Sequence, residues 1–139
     1  MDMKNEWNIS DRIVGIAVAL IVVTGLIHLI GTPDNLQEAT YKGILFLLNG
    51  IAGLVAAYGI YRGSKSWGWG LGAAVASGAF IMYILSRTIG LPIVGVDEEW
   101  LEPMGVLSLV VEGAFVLLAG FVFARNLRLP SQNSLAHQA

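Results

Sequence analysis

The sequence predicts an all-α fold, a four-helix transmembrane bundle with both termini on the cytoplasmic side. Of its 139 residues, 55% are hydrophobic and only 13% are charged, whereas soluble domains average about 25% charged residues. The apolar residues are concentrated in four runs, each close to the roughly 20 residues that a helix needs to cross a bilayer. So few charges do not cover a water-facing surface, and we therefore expect lipid to surround the helices.

The first element is a polar N-terminal segment, residues 1–12, in which Trp7 suits the headgroup region. Ser10 and Asp11 are both suitable N-caps for the helix that follows. The apolar run 13–31 is longer than the roughly 7–15 residues of a signal-peptide core. We therefore interpret it as a retained first span.

The remaining spans are predicted over 43–61, 67–89 and 104–124, so that the transmembrane domain covers 13–124. Turn-forming residues place a polar connection at 32–42, and residues 90–102 form a second, longer loop. Pro103 suits the first turn of the fourth helix, because its missing N–H needs no partner there. Residues 125–139 are predicted to form a disordered cytoplasmic tail.

The distribution of basic residues predicts the orientation. Six of the eight lysines and arginines fall on the side of the termini, and these are Lys4, Arg12, Arg62, Lys65, Arg125 and Arg128. Lys42 and Arg87 fall on the other side. Because lysine and arginine are enriched in cytoplasmic loops, we expect a multi-pass cell-membrane protein with cytoplasmic termini.

Several functional classes lack support in the sequence. A net charge of −2 gives no electrostatic basis for nucleic-acid binding. The absence of cysteine excludes disulfides, thiolate metal sites and a cysteine nucleophile. No phosphate-binding loop, metalloprotease helix or serine nucleophile motif is present. A non-enzymatic role is therefore favoured.

Polar residues inside the spans are concentrated in their outer halves. His28, Asn49, Tyr83, Arg87 and Glu112 lie there, and Glu112 is about 13 Å into its helix at 1.5 Å per residue. Ionisable groups at this depth are costly unless they are paired or hydrated. We expect these five residues to converge on a ligand-binding site above an apolar inner half. Such an inner half does not favour a channel.

Each polar residue also has an ordinary structural interpretation. Glu112 either pairs with Arg87 or, as a protonated carboxyl, hydrogen-bonds Asn49 or Ser108. Arg87 either takes part in the site or extends to the headgroups. For His28 and Asn49, hydrogen bonds between helices are the ordinary role.

The acidic residues before the fourth helix, Asp97, Glu98, Glu99 and Glu102, suggest either a cation site or, as we prefer, an interaction with the helix dipole. His28, Glu112 and Glu102 are a possible ligand set for a non-haem metal. Haem with two axial histidines is not expected, because His137 falls on the opposite side of the membrane. The sequence identifies no particular cofactor.

Small residues at helical spacing mark one face of the third span. Gly68, Gly72 and Ala76 permit close helix approach, either within the bundle or in a homo-oligomer or larger membrane complex.

Short motifs carry a resemblance to one group of proteins. They are the S-R-T-I-G-L-P turn at 86–92, the E-W-L-E-P segment at 99–103 with Gly105, Ser108-Leu109-x-x-Glu112, and F-L-L-N-G at 46–50. In these motifs, and in His28, the chain resembles small, uncharacterised four-helix integral membrane proteins of bacteria and archaea. The resemblance covers about residues 20–120. It implies the four-helix architecture and points to His28, Asn49, Arg87 and Glu112, but it implies no reaction or substrate.

The leading hypothesis is an accessory subunit or ligand-binding component of the membrane. The alternative is a quinone- or metal-binding subunit of a membrane oxidoreductase, in which His28, Tyr83 and Arg87 hydrogen-bond a quinone carbonyl. A proton-coupled carrier that uses Glu112 ranks last, because it requires a polar inner pathway.

Overall fold

Four long helices make up almost all of the described chain. The computed structural model describes residues 9–64 and 66–128. The helices are α1 (Asp11–Glu38), α2 (Thr40–Tyr61), α3 (Trp67–Thr88) and α4 (Pro103–Arg128). Each is long and apolar enough to cross a membrane, which confirms the all-α, four-helix prediction.

Parts of the two predicted terminal segments lie outside the described residues. They are residues 1–8, with Trp7, and residues 129–139, with His137. Within the described chain, the predicted cap at Ser10 is confirmed, since its hydroxyl accepts a hydrogen bond from the Ile13 N–H at 3.4 Å.

The connection between the first two helices is much shorter than predicted. Helix α1 continues through Pro33 to Glu38, and α2 begins at Thr40. Only Ala39, with extended backbone angles (φ −159°, ψ 133°), separates them. The polar connection predicted over 32–42 is therefore wrong.

Side chains on either side of the proline hydrogen-bond to the α1 backbone. Proline removes one helical hydrogen bond, and hydroxyl side chains of membrane helices can supply partners for backbone groups near it. Here the Thr32 hydroxyl donates to the His28 carbonyl at 2.8 Å, and the Asn35 amide donates to the Gly31 carbonyl at 2.8 Å. The turn-forming residues of this segment are thus used inside a helix.

Helix α4 starts at Pro103 as predicted, but it ends at Arg128 rather than at 124. Arg125 and Arg128 occupy its last turn, where positive side chains interact favourably with the helix dipole. The Asn126 amide also donates to the Val122 carbonyl at 2.8 Å. Residues 125–128, predicted to belong to the tail, are therefore helical.

The helices form a closed arrangement in which α1 and α3 each pack against both α2 and α4. The α1–α2 pair is the closest, and glycines allow it. A Cβ atom added to Gly50 would lie 3.0 Å from the Gly25 carbonyl oxygen and 2.6 Å from the Leu29 Cγ.

The small residues of α3 are used inside the bundle. Gly68 and Gly72 are buried and Ala76 is fully buried. A Cβ atom at Gly72 would lie 2.6 Å from the Phe115 ring, and one at Gly68 would lie 2.8 Å from the Ile60 nitrogen. Of the two roles considered for this face, internal packing is the one observed.

The bundle has two dissimilar halves. The terminal half contains the start of α1, the α2–α3 connection and the end of α4. Its buried core is apolar and includes Ile21, Ile60, Trp69, Phe115 and Val122, with the Trp69 and Phe115 rings stacked at 6.1 Å. The loop half contains Ala39 and the α3–α4 loop, residues 89–102.

We expect Gly50→Ala to lower the stability of the bundle by about 1–3 kcal/mol, the usual effect of overpacking a filled contact. Gly15→Ala is the matched control, because a Cβ atom at Gly15 meets nothing within 4 Å. Thermal unfolding of both variants in detergent, followed by tryptophan fluorescence, measures the difference. Equal melting temperatures would contradict the close α1–α2 contact.

Candidate functional site

A cavity of about 710 Å³ lies in the loop half and is lined by all four helices and by the α3–α4 loop. Its volume falls in the range of about 300–1,000 Å³ that is typical of small-molecule sites. The cavity brings together every residue that the sequence analysis selected for ligand binding: His28, Asn49, Tyr83, Arg87 and Glu112. Their convergence is observed, and their role in binding stays a prediction.

The walls of the cavity are mostly apolar and come from one stripe of each helix. On α2 the stripe includes Leu45, Leu48 and Ala52, and on α3 it includes Val75 and Met82. Leu45, Leu48 and Met82 are also exposed on the surface of the bundle. The cavity therefore reaches the surface of the bundle between α2 and α3.

Glu112 lies at the deep end of the cavity and is only 1% exposed. Its Oε1 accepts a hydrogen bond of 2.5 Å from the Ser108 hydroxyl, one turn earlier on α4. Among the described residues, its Oε2 forms no hydrogen bond. One turn further along α4, Phe115 begins the apolar core of the terminal half.

His28 of α1 faces Glu112 across the bundle. Its Nδ1 lies 2.9 Å from the Thr24 carbonyl, and since a carbonyl only accepts, Nδ1 is the donor. Its Nε2 lies 3.8 Å from Glu112 Oε1, which is too long for a direct hydrogen bond. Its direct hydrogen bond is therefore within α1, not between helices as expected. Its ring also lies 4.9 Å from the Phe46 ring of α2.

Asn49 is half-buried and lines the cavity one turn of α2 beyond Phe46. In the described part of the chain its amide makes no hydrogen bond. The hydrogen bond between helices that we considered its ordinary role is not formed. Its donor and acceptor atoms therefore remain accessible to a molecule in the cavity.

Arg87 is 8% exposed and forms its ion pairs with the α3–α4 loop. Its Nη2 lies 3.2 Å from Asp97 Oδ2 and 3.4 Å from Glu102 Oε2, and its Nε donates to the Glu99 carbonyl at 3.2 Å. The guanidinium also lies 3.6 Å from the centre of the Tyr83 ring. Arg87 therefore neither pairs with Glu112 nor extends freely to the headgroups.

These contacts fasten the loop over the cavity. The Tyr83 hydroxyl donates to the Trp100 carbonyl at 2.8 Å, and the Asp97 N–H donates to the Ser86 carbonyl at 2.9 Å. From α2, the Tyr41 hydroxyl donates to the Pro92 carbonyl at 2.5 Å. Asp97 and Glu102, two of the four acidic loop residues, thus pair with Arg87, a role that the sequence analysis did not predict.

The three residues considered as metal ligands, His28, Glu102 and Glu112, have different partners in the structure. His28 approaches Glu112, whereas Glu102 pairs with Arg87. Among the described residues, no group of three or more histidine or acidic side chains is placed to hold a metal ion.

Three further cavity residues were missed by sequence reasoning. Phe46 shares a helix face with Asn49, three residues away, and that spacing is a usable signal. Tyr41 and Ser86 instead have partners that tertiary structure brings near them. The Tyr41 hydroxyl donates to the Pro92 carbonyl, and the Ser86 hydroxyl accepts from the Arg87 guanidinium at 2.8 Å. No local pattern indicates these contacts.

No family model matches the chain, and no curated protein or solved structure matches it significantly. Inference about function therefore depends on the fold and on the cavity described above.

We expect the double variant Asp97→Asn with Glu102→Gln to loosen the α3–α4 loop, because it leaves the buried Arg87 without anionic partners. Hydrogen exchange of amides in residues 89–102 should accelerate roughly tenfold or more, since hydrogen bonds to charged groups contribute about 1.5–3 kcal/mol. Glu98→Gln is the control, because Glu98 is exposed and its side chain forms no ion pair with Arg87. Unchanged exchange in the double variant would show that the Arg87 cluster does not hold the loop.

Proposed function

We propose that this protein is a multi-pass cell-membrane protein that binds a small, largely apolar ligand in its loop-half cavity. It acts as an accessory subunit or ligand-binding component and not as an enzyme. One observation carries the proposal: polar residues dispersed over all four helices line a single cavity of about 710 Å³ with apolar walls. A few placed polar groups in an apolar pocket are typical of small-molecule sites.

Two polar groups of the cavity favour binding over a purely structural role. Glu112 Oε2 and the Asn49 amide form no hydrogen bond in the described chain, and neither is among its fully enclosed unpaired atoms. Both are therefore able to accept a partner that enters the cavity. A ligand that reaches the deep end of the cavity supplies those partners.

The quinone alternative is less well supported. It assigned the quinone carbonyl to donors on His28, Tyr83 and Arg87. In the structure each of these donors already has an acceptor. The His28 Nδ1 donates to the Thr24 carbonyl, the Tyr83 hydroxyl donates to the Trp100 carbonyl, and the Arg87 Nε donates to the Glu99 carbonyl of the loop. The Asn49 amide, which was not part of that assignment, lines the cavity and forms no hydrogen bond in the described chain.

The carrier alternative requires a path to the opposite side of the membrane. The deepest lining residues are Ala52, Ala74 and Glu112. Beyond them the described chain places the packed apolar core around Trp69 and Phe115. A binding protein fits this closed arrangement better than a carrier.

For the orientation, we propose that the loop half faces away from the cytoplasm. Six of the eight basic residues lie on the side of the termini, and the positive-inside tendency supports a cytoplasmic location for that side. The cavity then opens in the outer leaflet.

We expect purified wild-type protein to carry a bound small molecule or lipid in native mass spectra, and Gly78→Phe to remove it. Gly78 is exposed and lines the cavity, and a Cβ atom there meets nothing within 4 Å, so the ring can be added at the cavity wall without displacing a neighbour. Gly120→Phe is the matched control, because Gly120 is exposed on α4 with open space around it. Wild-type protein without adducts, or equal adducts in both variants, would count against the cavity as a ligand site.

We expect a green fluorescent protein fused after Ala139 to fluoresce and alkaline phosphatase fused there to be inactive in a bacterial host. Fusions placed in the α3–α4 loop should show the opposite pattern. The reverse result would place the cavity in the inner leaflet.

A further inference from the structure

Acidic side chains outnumber basic ones in the cavity. Five carboxylates line it, belonging to Asp34, Glu38, Asp97, Glu102 and Glu112, against the cationic side chains of Lys42 and Arg87. Lys42 forms an ion pair with Glu38, and Arg87 pairs with Asp97 and Glu102. Both cationic groups are thus neutralised at the rim, and the potential inside the cavity favours a positive ligand.

Among the acidic residues that line the cavity, Glu112 is the buried one, and it forms no ion pair with Lys42 or Arg87. It lines the cavity and is 1% exposed, its Oε1 lies near the Ser108 hydroxyl and His28 Nε2, and its Oε2 forms no hydrogen bond in the described chain. A carboxylate removed from water is stabilised strongly by a nearby opposite charge. The described chain supplies no arginine or lysine there.

The surroundings of Glu112 suit an organic cation better than a metal ion. Hard metal ions need several oxygen ligands, six to eight for calcium, and the described residues offer no such group. The neighbouring surface is instead apolar and aromatic, with the Phe46 ring beside His28 and the side chains of Ala52 and Val75. Aromatic faces attract organic cations, and apolar walls bury their substituents.

We propose that the cavity takes a hydrophobic organic cation, an amine or onium compound with apolar substituents, and that Glu112 is its counter-ion. This inference rests on the proposed ligand-binding function and adds the chemical class of the ligand. The side opening between α2 and α3, lined by Leu45, Leu48 and Met82, lets such a molecule enter from the lipid. Asn49 then contacts the ligand on the wall above Glu112.

Two ions of nearly the same shape and opposite charge test the proposal directly. Tetraphenylphosphonium and tetraphenylborate are titrated against the full-length protein in nanodiscs, with empty nanodiscs as the blank for partition into lipid. We expect wild-type protein to bind the phosphonium about tenfold or more tightly than the borate, because one unpaired carboxylate attracts the first and repels the second. Equal binding of the two ions, or tighter binding of the borate, would overturn the proposal.

Variants then locate the charge. Glu112→Gln keeps the side-chain size and a hydrogen-bond acceptor for Ser108, and it should abolish the preference for the phosphonium. Glu98→Gln, outside the cavity lining, should retain it. If Glu112→Gln does not fold, the comparison of the two ions on wild-type protein still decides the charge class of the ligand. An unchanged phosphonium preference in folded Glu112→Gln would exclude Glu112 as the counter-ion.

The two levels of inference fail separately. If Gly78→Phe removes a co-purified neutral or anionic ligand and the phosphonium does not compete for it, the cavity is a ligand site but the charge class is wrong. If neither ion binds and Gly78→Phe changes nothing in native mass spectra, the ligand-binding function itself is wrong.

Discussion

The structure depends on one constraint: a polar group that lies inside lipid-facing helices must find its partner within the protein. In the described chain, the buried ionisable side chains are confined to one half of the bundle. The terminal half is packed with apolar side chains around Trp69 and Phe115. The loop half holds His28, Arg87 and Glu112. This division explains why the described helices provide no continuous polar path through the bundle.

The buried basic group and the buried acidic group meet the constraint in different ways. Arg87 lies near the end of α3, so that the following loop reaches back and places two carboxylates and a carbonyl on its guanidinium. Glu112 lies nine residues into α4, beyond the reach of that loop, and finds only a hydroxyl and an imidazole nitrogen. Arg87 therefore stabilises the structure, whereas the bonding capacity of Glu112 is only partly used. The candidate site follows from that difference.

The sequence predicted most of the fold and the convergence of five polar residues on one cavity, but not the partners of those residues. Apolar runs reveal spans because bilayer thickness fixes their length, and the one-sided placement of polar residues predicted their convergence. The continuation of α1 through Pro33 was not predicted. In the sequence, Thr32, Pro33 and Asn35 are typical turn residues, whereas in the structure Thr32 and Asn35 hydrogen-bond to the α1 backbone. The partners of Arg87 were missed because they depend on the path of a loop, which no helical periodicity encodes.

Small residues set how closely α2 and α3 approach near their connection. A Cβ atom on Gly68 would lie 2.8 Å from the Ile60 nitrogen, and one on Gly59 would lie 2.5 Å from the Trp67 ring. The cavity lies beyond this contact, since its lining reaches only Ala52 on α2 and Ala74 on α3. Any larger side chain at Gly59 or Gly68 would have to displace its neighbours. The glycines thus hold two of the helices together at the terminal half, on the far side of Ala52 and Ala74 from the rest of the cavity lining.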